Sequence, residues 1–335
     1  MNILSDKPFK SIDDQLSLLS KKRNLTILDP EIAHLALRRY GYYEIINGYK
    51  SPFLVEEGND DLGYKDDATF EHIYALYSLD REIRETILQG LEQFEQTFKQ
   101  ALAYSIAKNI SDLQKRYTAK SHYNKGESHT NHRGNFIGTD RDRLLKKFAR
   151  LLVSKNQPIY HYSVAHGNVP PWILIKSLSF GETIYWYKLS QKPIREDVIS
   201  NMFGIDQSII SKIDSTLKIK QAFGDTLSLC LDYRNLTAHG GRVYNHRSIK
   251  HALNWSIFIY REGIIHISHR QFLHKQMRSS VGALIKVLSL FENKDPYRNI
   301  EVWLSVHLDS YLQKYPMDKT MLEKAMELTF DELPK

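Results

Sequence analysis

The sequence predicts an all-α protein built as a helical bundle, and three observations carry this prediction. Apolar residues recur at three- and four-residue steps in one segment after another, which is the spacing of a single helix face. Alternation of apolar and polar residues, the pattern typical of half-buried strands, is rare. Glycine and proline, which interrupt helices, number only 16 and 10 among 335 residues. The chain is therefore suited to long helices with few breaks.

The longest helix is predicted over Thr69–Lys108. Its apolar and aromatic residues follow the helical spacing almost without a gap. Two opposite-charge pairs, Arg81–Glu85 and Glu95–Lys99, are each four residues apart and suit an exposed face. A helix of this length would span roughly 60 Å at 1.5 Å per residue, and Gly90 is a candidate for a kink.

Shorter helices are predicted on both sides of this long helix. Pro170-Pro171 opens one of them at Trp172. Another ends near Ala238, because Gly240-Gly241 stops it. Together the predicted shorter helices are Ser11–Ser20, Pro30–Tyr40, a helix from Trp172, one that follows the break at Ser179-Phe180-Gly181 and runs through Leu189, Pro193–Gly204, Ile205–Lys218, Leu217–Ala238, His251–Tyr260, Ser279–Glu292, Val302–Leu312 and Asp318–Leu328.

An aromatic-rich segment lies between Tyr40 and Leu54, and its Asn47-Gly48 pair signals a turn. One interpretation is a packed corner with aromatic anchors. The alternative is a platform on which nucleic-acid bases stack.

Composition and charge restrict the classes of protein that this chain can belong to. Lys and Arg number 46 against 39 Asp and Glu, so the net charge is +7, which favours a polyanionic partner. A single cysteine, Cys230, excludes an internal disulfide and a Cys-based zinc site. Residues 1–10 lack the apolar core of a signal peptide, and no stretch reaches about 18 apolar residues. We therefore expect a cytoplasmic protein without a membrane span.

The positive excess is concentrated in residues 101–155. This segment holds 12 basic and 4 acidic residues, a local balance of 12 − 4 = +8, which leaves 7 − 8 = −1 for the rest of the chain. Such an asymmetry favours a phosphate-binding surface, and a solvated helix face is the alternative. The predicted RNA contacts in this segment are Arg141, Arg143, Lys146, Lys147 and Arg150.

Residues 121–140 of the same segment are predicted to form a loop, since they are rich in His, Asn, Gly and Ser. His122, His129 and His132 lie in it and are conceivable metal ligands. No cysteine accompanies them and carboxylates are sparse. We therefore predict no metal site and no cofactor.

The segment Leu231–Asn245 places an arginine, an asparagine and a histidine at the end of an apolar helix. Asn235 and His239 are four residues apart and lie on nearly the same helix face. Arg234 and His239 are five apart, about 140° around an ideal helix. The long arginine side chain, or irregular geometry at the helix end, can bring the two groups together. The alternative is that Arg234 and His239 only hydrogen-bond the last carbonyls of the helix.

These three side chains suffice for metal-free cleavage of RNA. His239 suits proton transfer near neutral pH, Arg234 can bind a phosphate through two parallel hydrogen bonds, and Asn235 can orient the histidine or bond a ribose hydroxyl. A base removes the proton of the 2′-OH, which attacks the adjacent phosphorus, and an acid protonates the departing 5′ oxygen. The expected ends are a 2′,3′-cyclic phosphate and a 5′-OH, and DNA should resist. One histidine cannot easily do both jobs in one step, so a second copy would help.

The segment resembles the Arg-x₄₋₆-His motif of HEPN domains, all-helical domains that often cleave RNA. More narrowly, the chain resembles the Abi family of bacterial abortive-infection proteins, of the AbiD/AbiF kind, over roughly residues 10–250. The family often carries an acidic residue shortly before its Phe-Gly turn, where this chain has Lys176 and Ser177. Four stretches carry the resemblance: Tyr40-Gly41-Tyr42-Tyr43 through Tyr49; Leu76-Tyr77-Ser78-Leu79-Asp80-Arg81; Pro170-Pro171-Trp172 with Ser179-Phe180-Gly181; and Arg234-Asn235 through Ala238-His239 to Arg242 and Asn245.

The resemblance implies a HEPN-like helical domain over residues 65–250, between an N-terminal helical region (1–64) and a C-terminal helical extension (251–335). A long hairpin of helices is expected at its centre, formed by Thr69–Lys108 and Leu217–Ala238. The implied function is phage defence through toxic RNA cleavage by Arg234, Asn235 and His239. Arg242 and Asn245, in the same stretch, are predicted to contact RNA.

Two kinds of partner follow from the resemblance. HEPN ribonucleases usually place two Arg/His motifs across a dimer interface, and this chain has one such motif, so a homodimer is predicted. Some family members are thought to be restrained by a small structured RNA. A noncoding RNA antitoxin is therefore an expected partner besides the RNA substrate.

Two other functions stay open. The chain can be a non-catalytic HEPN module that binds RNA or a partner protein, or, more weakly supported, a HEPN partner or AMP acceptor of a nucleotidyltransferase. Intact Arg234, Asn235 and His239 favour the ribonuclease over the non-catalytic module.

Overall fold

The computed structural model describes residues 9–260 and 264–334, and helices dominate both ranges. The only sheet in the described part of the chain has two strands, so the all-α prediction is confirmed. None of the described helices combines the length and apolarity needed to cross a bilayer. The elements are α1 (Ile12–Ser17), α2 (Pro30–Tyr40), α3 (Phe70–Asn109), α4 (Gln114–Tyr117), β1 (Ser128–Thr130), β2 (Phe136–Thr139), α5 (Asp140–Leu152), α6 (Ile159–His166), α7 (Pro171–Leu174), α8 (Phe180–Leu189), α9 (Lys192–Phe203), α10 (Gln207–Leu217), α11 (Ile219–Ala238), α12 (His269–Leu273), α13 (Val281–Leu288), α14 (Asp295–Lys314) and α15 (Lys319–Met326).

Helix α3 is the scaffold of the molecule. It is 40 residues long and begins where the Thr69 hydroxyl accepts a hydrogen bond from the His72 backbone N–H, at 3.0 Å. The helix continues through Gly90 without a break, and this glycine allows a close approach of another helix. A Cβ atom there would lie 2.5 Å from Cγ1 of Ile300 on α14. The absence of a side chain at Gly90 therefore lets α14 approach α3 closely.

Helix α11 packs antiparallel to α3, as the predicted central pair requires. Near the middle of α3, Arg84 donates hydrogen bonds to the carbonyls of Gly240 and Gly241, just beyond the end of α11. Farther along α3, the Phe98 ring lies 6.1 Å from that of Phe223, near the start of α11. The end of α11 is thereby fixed beside the first half of α3.

The C-terminal residues pack on the same core. Leu19, Leu91 and Ile300, one from each of the three regions predicted from the sequence, all belong to one continuous cluster of buried apolar side chains. The Asn293 side chain donates to the Thr97 hydroxyl on α3 at 2.9 Å. The C-terminal segment is thus part of the same hydrophobic core as α3.

The helix predicted over residues 251–260 is wrong. This stretch is irregular, although Leu253, Phe258 and Ile259 are buried. The backbone N–H of Leu253 donates to the Arg278 carbonyl at 2.8 Å, and that of Asn254 donates to the Asp225 carboxylate at 3.1 Å. Because these donors bond distant parts of the chain, they are not available to a helical ladder.

The loop predicted over residues 121–140 contains a short hairpin. Strands β1 and β2 pair antiparallel with an irregularity between His129 and Thr130. The Asp140 carboxylate accepts hydrogen bonds from the His129 ring (2.6 Å), the Glu127 N–H (2.7 Å) and the Tyr185 hydroxyl (2.6 Å). These bonds fasten the hairpin to α5 and α8. Strands of three and four largely exposed residues leave no apolar alternation that the sequence could show.

The aromatic segment after α2 is a packed corner. Ile45, Ile46 and Tyr49 are buried there, in agreement with the first of the two interpretations. The Tyr49 ring lies 5.5 Å from the Tyr77 ring and 6.1 Å from the Tyr244 ring. The corner therefore connects α3 with the segment that follows α11.

Candidate active site

Helix α11 ends where the sequence predicts, at Ala238 followed by His239. The His239 backbone N–H still donates to the Asn235 carbonyl at 3.0 Å, and the Gly241 N–H donates to the Leu236 carbonyl at 2.8 Å. Gly240 has a φ of +75°, in the left-handed region that favours glycine. The helix therefore ends just before His239, and the turn at Gly240 directs the chain back towards α3.

Asn235, on the last turn of α11, and His239, directly after its end, are both exposed. Within the described residues, neither side chain has a hydrogen-bond partner, and they are four positions apart on one helix face. The carbonyls of Gly240 and Gly241 are bound instead by Arg84, at 3.0 and 3.3 Å. Within the described residues, neither the Arg234 nor the His239 side chain hydrogen-bonds a carbonyl of the last helical turn, so the alternative in which both only cap the helix has no hydrogen bond to support it.

Arg234 is less free than its two neighbours. Its side chain is 33 % exposed, and its Nε atom lies 3.6 Å from Oε2 of Glu95 on α3. That Nε atom is buried and makes no hydrogen bond within the described part of the chain. The Glu95 carboxylate also pairs with Lys99 at 2.7 Å, and Lys99 donates to the Leu178 carbonyl at 2.7 Å. Glu95 is thus shared between Arg234 of α11 and Lys99, which connects α3 to the turn before α8.

Sequence reasoning missed Glu95 as the partner of Arg234. It placed the Glu95–Lys99 pair on an exposed face, whereas Glu95 is buried, so that expectation is wrong. A signal was present, because Glu95 directly follows Phe94 and precedes Phe98 by three positions, both on the apolar side of α3. A carboxylate on a buried helix face favours cationic partners, and both Lys99, at 2.7 Å, and Arg234, at 3.6 Å, are such partners.

The segment after the turn is anchored by Asp80, which is fully buried on α3. Its carboxylate accepts hydrogen bonds from the Tyr49 hydroxyl (2.7 Å) and from the backbone N–H groups of Val243 (3.1 Å) and Tyr244 (2.6 Å). Burial raises the pKa of the Asp80 carboxyl, while the bonds from Tyr49 and the backbone act in the opposite direction. Asp80 therefore joins the corner, α3 and the chain beyond α11.

Arg242 and Asn245, predicted to contact RNA, lie on this anchored segment. The exposed Arg242 guanidinium donates a hydrogen bond to the Gly48 carbonyl of the corner. Asn245 is half-buried and lines a cavity of about 630 Å³ between residues 51–57 and α15. Arg242 thus faces the N-terminal corner, and Asn245 lies between residues 51–57 and the C-terminal helix α15.

The predicted RNA contacts on α5 divide into two groups. Arg143, Lys146 and Arg150 are exposed and have no ion-pair partner among the described residues. Lys147 is paired with Glu182 of α8 at 2.7 Å, and Arg141 donates to the Tyr123 carbonyl at 3.2 Å. The opposite face of α5, with Leu144 and Phe148, is buried. A phosphate backbone could therefore reach three of the five cations without displacing a protein contact.

Helix α8 lies between α5 and α11. Its Glu182 contacts α5 through Lys147, and a Cβ added at Gly181 would lie 3.7 Å from a methyl group of Leu231 on α11. Leu231 precedes Asn235 by one helical turn. The first turn of α8 thus links the basic helix to the last turns of α11.

Residues with metal-ligating side chains are dispersed in the described part of the chain. No group of three or more His, Cys, Asp or Glu side chains there could hold a metal ion. His129, a conceivable ligand in the sequence, hydrogen-bonds Asp140 instead. Burial raises the pKa of the Cys230 thiol well above its ordinary value.

A comparison with known protein families gives one result. The family model described as Abi-like protein matches residues 35–245, which include the corner, α3, α5, α8, α11 and the turn after it. No curated protein and no solved structure matches the chain significantly. Since the match covers more than half of the sequence, the chain belongs to the Abi-like proteins, whose family name suggests abortive infection, a bacterial defence against phage.

Proposed function

We propose that this Abi-like protein is a metal-independent endoribonuclease of the HEPN type, of the AbiD/AbiF kind, which acts as a toxin in abortive infection. The observation that carries the proposal is the end of α11. It leaves Asn235 and His239 exposed and, in the described part of the chain, without side-chain hydrogen bonds, beside an arginine that pairs with Glu95.

The groups at this helix end suit transfer of the RNA 2′-oxygen to phosphorus. His239 takes the proton of the 2′-OH or delivers one to the departing 5′ oxygen. Arg234 stabilises the charge that develops on the phosphate, because its Nη atoms are not engaged by the Glu95 pair, which forms at Nε. Asn235 bonds a ribose hydroxyl or orients the histidine ring. The bond that forms is O2′–P and the bond that breaks is P–O5′, which leaves a 2′,3′-cyclic phosphate and a 5′-OH.

A homodimer completes this mechanism. Proton removal and proton delivery need two groups of different protonation state, and one exposed histidine cannot be both at once. A second copy of α11 across an interface would provide the second histidine. Cleavage should then depend on protein concentration, with a specific rate that falls as the dimer dissociates, as sedimentation would measure.

The exposed cations of α5 form a positively charged surface for binding RNA. Arg143, Lys146 and Arg150 form a face through which substrate RNA, or a structured noncoding RNA antitoxin, would be held by its phosphates. The link through α8 connects this face to α11.

The test is cleavage of end-labelled RNA and of the matching DNA by the purified protein in EDTA. We expect cleavage of RNA alone, with cyclic phosphate ends, and loss of both cleavage and toxicity in His239→Ala and Arg234→Ala. The matched control is His274→Ala, which removes another exposed histidine. A folded His239→Ala protein that cleaves RNA and stops growth normally would refute the assignment, as would a strict requirement for Mg²⁺ or similar cleavage of DNA.

One observation favours a second candidate function, a non-catalytic HEPN module that binds RNA or a partner protein. Arg234 forms an ion pair with buried Glu95, and such a pair can be purely structural. That function predicts RNA binding without any cleavage, and unchanged binding by His239→Ala.

A further inference from the structure

A second cleft lies between the C-terminal half of α3 and the short helix α7. Its volume is about 620 Å³, and it is lined by Gln100, Tyr104, Ala107, Lys108, Trp172 and Lys176. The first four follow one another along a single stripe of α3, and Trp172 and Lys176 are one helical turn apart. The cleft therefore combines two large aromatic side chains with two lysines.

Both aromatic side chains are exposed where their neighbours are not. Trp172 is 40 % exposed although Ile173 and Leu174, which follow it, are buried. Tyr104 is 54 % exposed between buried Ala103 and Ser105. Two exposed rings on one cleft leave apolar faces in water, and this is a feature of binding surfaces.

The charge of the cleft favours an anion. Lys176 is exposed and has no ion-pair partner among the described residues. Lys108 is bound to Asp197 at 2.8 Å, so it contributes less free charge. Gln100 adds an amide that can both donate and accept hydrogen bonds. Aromatic faces beside ammonium groups are the combination that holds stacked bases and their phosphates.

The cleft lies away from the end of α11. Tyr104 follows Glu95 by nine residues, which is two and a half turns, so the two side chains point to opposite sides of α3. Glu95 faces Arg234, and Tyr104 faces α7. A change in the cleft therefore leaves the contacts of Arg234 and His239 in place.

We propose that this cleft binds a single-stranded segment of RNA, with bases stacked on Trp172 and Tyr104 and a phosphate beside Lys176. The inference deepens the proposed function, because it names a second place at which the same RNA partner is held. Stacking tolerates any base, so the cleft recognises the strandedness of the RNA and not its sequence.

The first test uses the intrinsic fluorescence of the protein and a 2′-O-methyl oligouridine, which lacks the attacking hydroxyl and cannot be cleaved. Base stacking on Trp172 should quench part of the emission. Trp172→Phe should abolish this quenching, whereas Trp303→Phe, which alters a similarly exposed tryptophan (48 %) on α14, should preserve it.

The second test measures affinity for the same oligonucleotide by fluorescence anisotropy. Trp172→Ala and Tyr104→Ala should each weaken binding about fivefold to a hundredfold, the range found when a stacking ring is removed. Lys176→Gln should lower the log–log salt slope by about 0.7, one phosphate contact on a single strand. Trp303→Ala is the control, thermal melting checks the fold, and Trp172→Phe should retain most of the affinity because it keeps a ring.

Three outcomes would overturn the proposal: quenching that survives Trp172→Phe, equal affinity for a duplex of the same length, and binding of free uridine monophosphate as tight as that of the oligonucleotide. A change in sedimentation of the Trp172→Ala protein, without any change in RNA affinity, would make the cleft an interface between copies and would also overturn it. None of these measurements depends on cleavage. The proposed ribonuclease activity can therefore be refuted while RNA binding in the cleft is confirmed, and RNA binding in the cleft can be refuted while the activity is confirmed.

Discussion

Two of the segments that resemble the family meet at the end of α11: the one on α3 that contains Asp80 and the one that contains Asn235 and His239. Their polar side chains differ in burial and in hydrogen bonding. Asp80 is fully buried, and both of its carboxylate oxygens are hydrogen-bonded by the Tyr49 hydroxyl and two backbone N–H groups. Asn235 and His239 are exposed and have no partner within the described residues. A saturated buried carboxylate stabilises the local fold, whereas unpartnered polar groups at a fixed helix end are available to a ligand. The comparison separates the structural role of Asp80 from the chemical role that we propose for Asn235 and His239.

The largest effect expected on the chemical side is that of His239→Ala. Loss of a general acid or base should lower the rate of RNA cleavage about 10²- to 10⁴-fold. Its free energy of unfolding should stay within about 0.5 kcal/mol of the wild type, because the ring is exposed and makes no hydrogen bond or ion pair with the described residues. Single-turnover cleavage and urea unfolding measure the two quantities. A large loss of stability would contradict the contrast with Asp80, since His239 would then have a structural role as well.

For Asp80→Ala we predict a large loss of stability, because Asp80 has the structural role. Removing the carboxylate leaves the Tyr49 hydroxyl and the N–H groups of Val243 and Tyr244 unsatisfied, which should cost about 2–4 kcal/mol of stability. Asp80→Asn is the matched variant, because its amide can still accept from the backbone and donate to Tyr49, and it should lose clearly less. Urea denaturation of both variants checks this prediction. Equal losses would mean that the charge, and not the hydrogen bonds, anchors the segment.

Glu95 is buried like Asp80, but it pairs with a residue of the proposed active site. We therefore predict that Glu95 positions Arg234. Glu95→Gln should lower kcat for cleavage about tenfold, because Arg234 loses the charge that holds its Nε, while the affinity for 2′-O-methyl RNA stays unchanged. Glu92→Gln, which makes the same change at an exposed glutamate three residues earlier on α3, is the control. Rates should be corrected for the folded fraction. If corrected rates match the wild type, Glu95 contributes to stability alone.

The smallest effect distinguishes free cations from paired ones on α5. Lys146→Ala should lower the log–log salt slope of RNA binding by about 0.7–0.9, the release of one counterion. Lys147→Ala should change it less, because Lys147 is already neutralised by Glu182 at 2.7 Å. Titrations at several salt concentrations measure the slopes. Slopes that do not change in either variant would make α5 a solvated helix face without an RNA contact.

The parts of the fold that could be predicted are those governed by local sequence. The extent of α3 follows from helical periodicity, and the end of α11 before Gly240 and the opening of α7 by Pro171 follow from helix-breaking and helix-opening residues. The parts that could not be predicted depend on distant partners. The stretch 251–260 is irregular because its backbone bonds Arg278 and Asp225.

The same distinction applies to the candidate site. Periodicity places Asn235 and His239 on one face of a helix, but it does not show which residue of α3 lies opposite them. The pairing of Arg234 with Glu95 and the binding of the Gly240 carbonyl by Arg84 both depend on how α3 and α11 are aligned. That alignment is set by contacts such as Phe98 with Phe223, far away along both helices.

The length of α3 sets a lower limit on the RNA that could occupy both proposed sites at once. Arg84 and Tyr104 both belong to α3; Arg84 contacts the turn that follows α11, and Tyr104 lines the aromatic cleft. They are 20 residues apart on one unbroken helix, which is roughly 30 Å at 1.5 Å per residue. A stacked strand advances about 3.4 Å per nucleotide, so about nine nucleotides cover that distance even before the strand passes around the helix. Shorter fragments can therefore fill one site only. The protein would then bind long transcripts more tightly than their breakdown products, because only long RNA can occupy both sites.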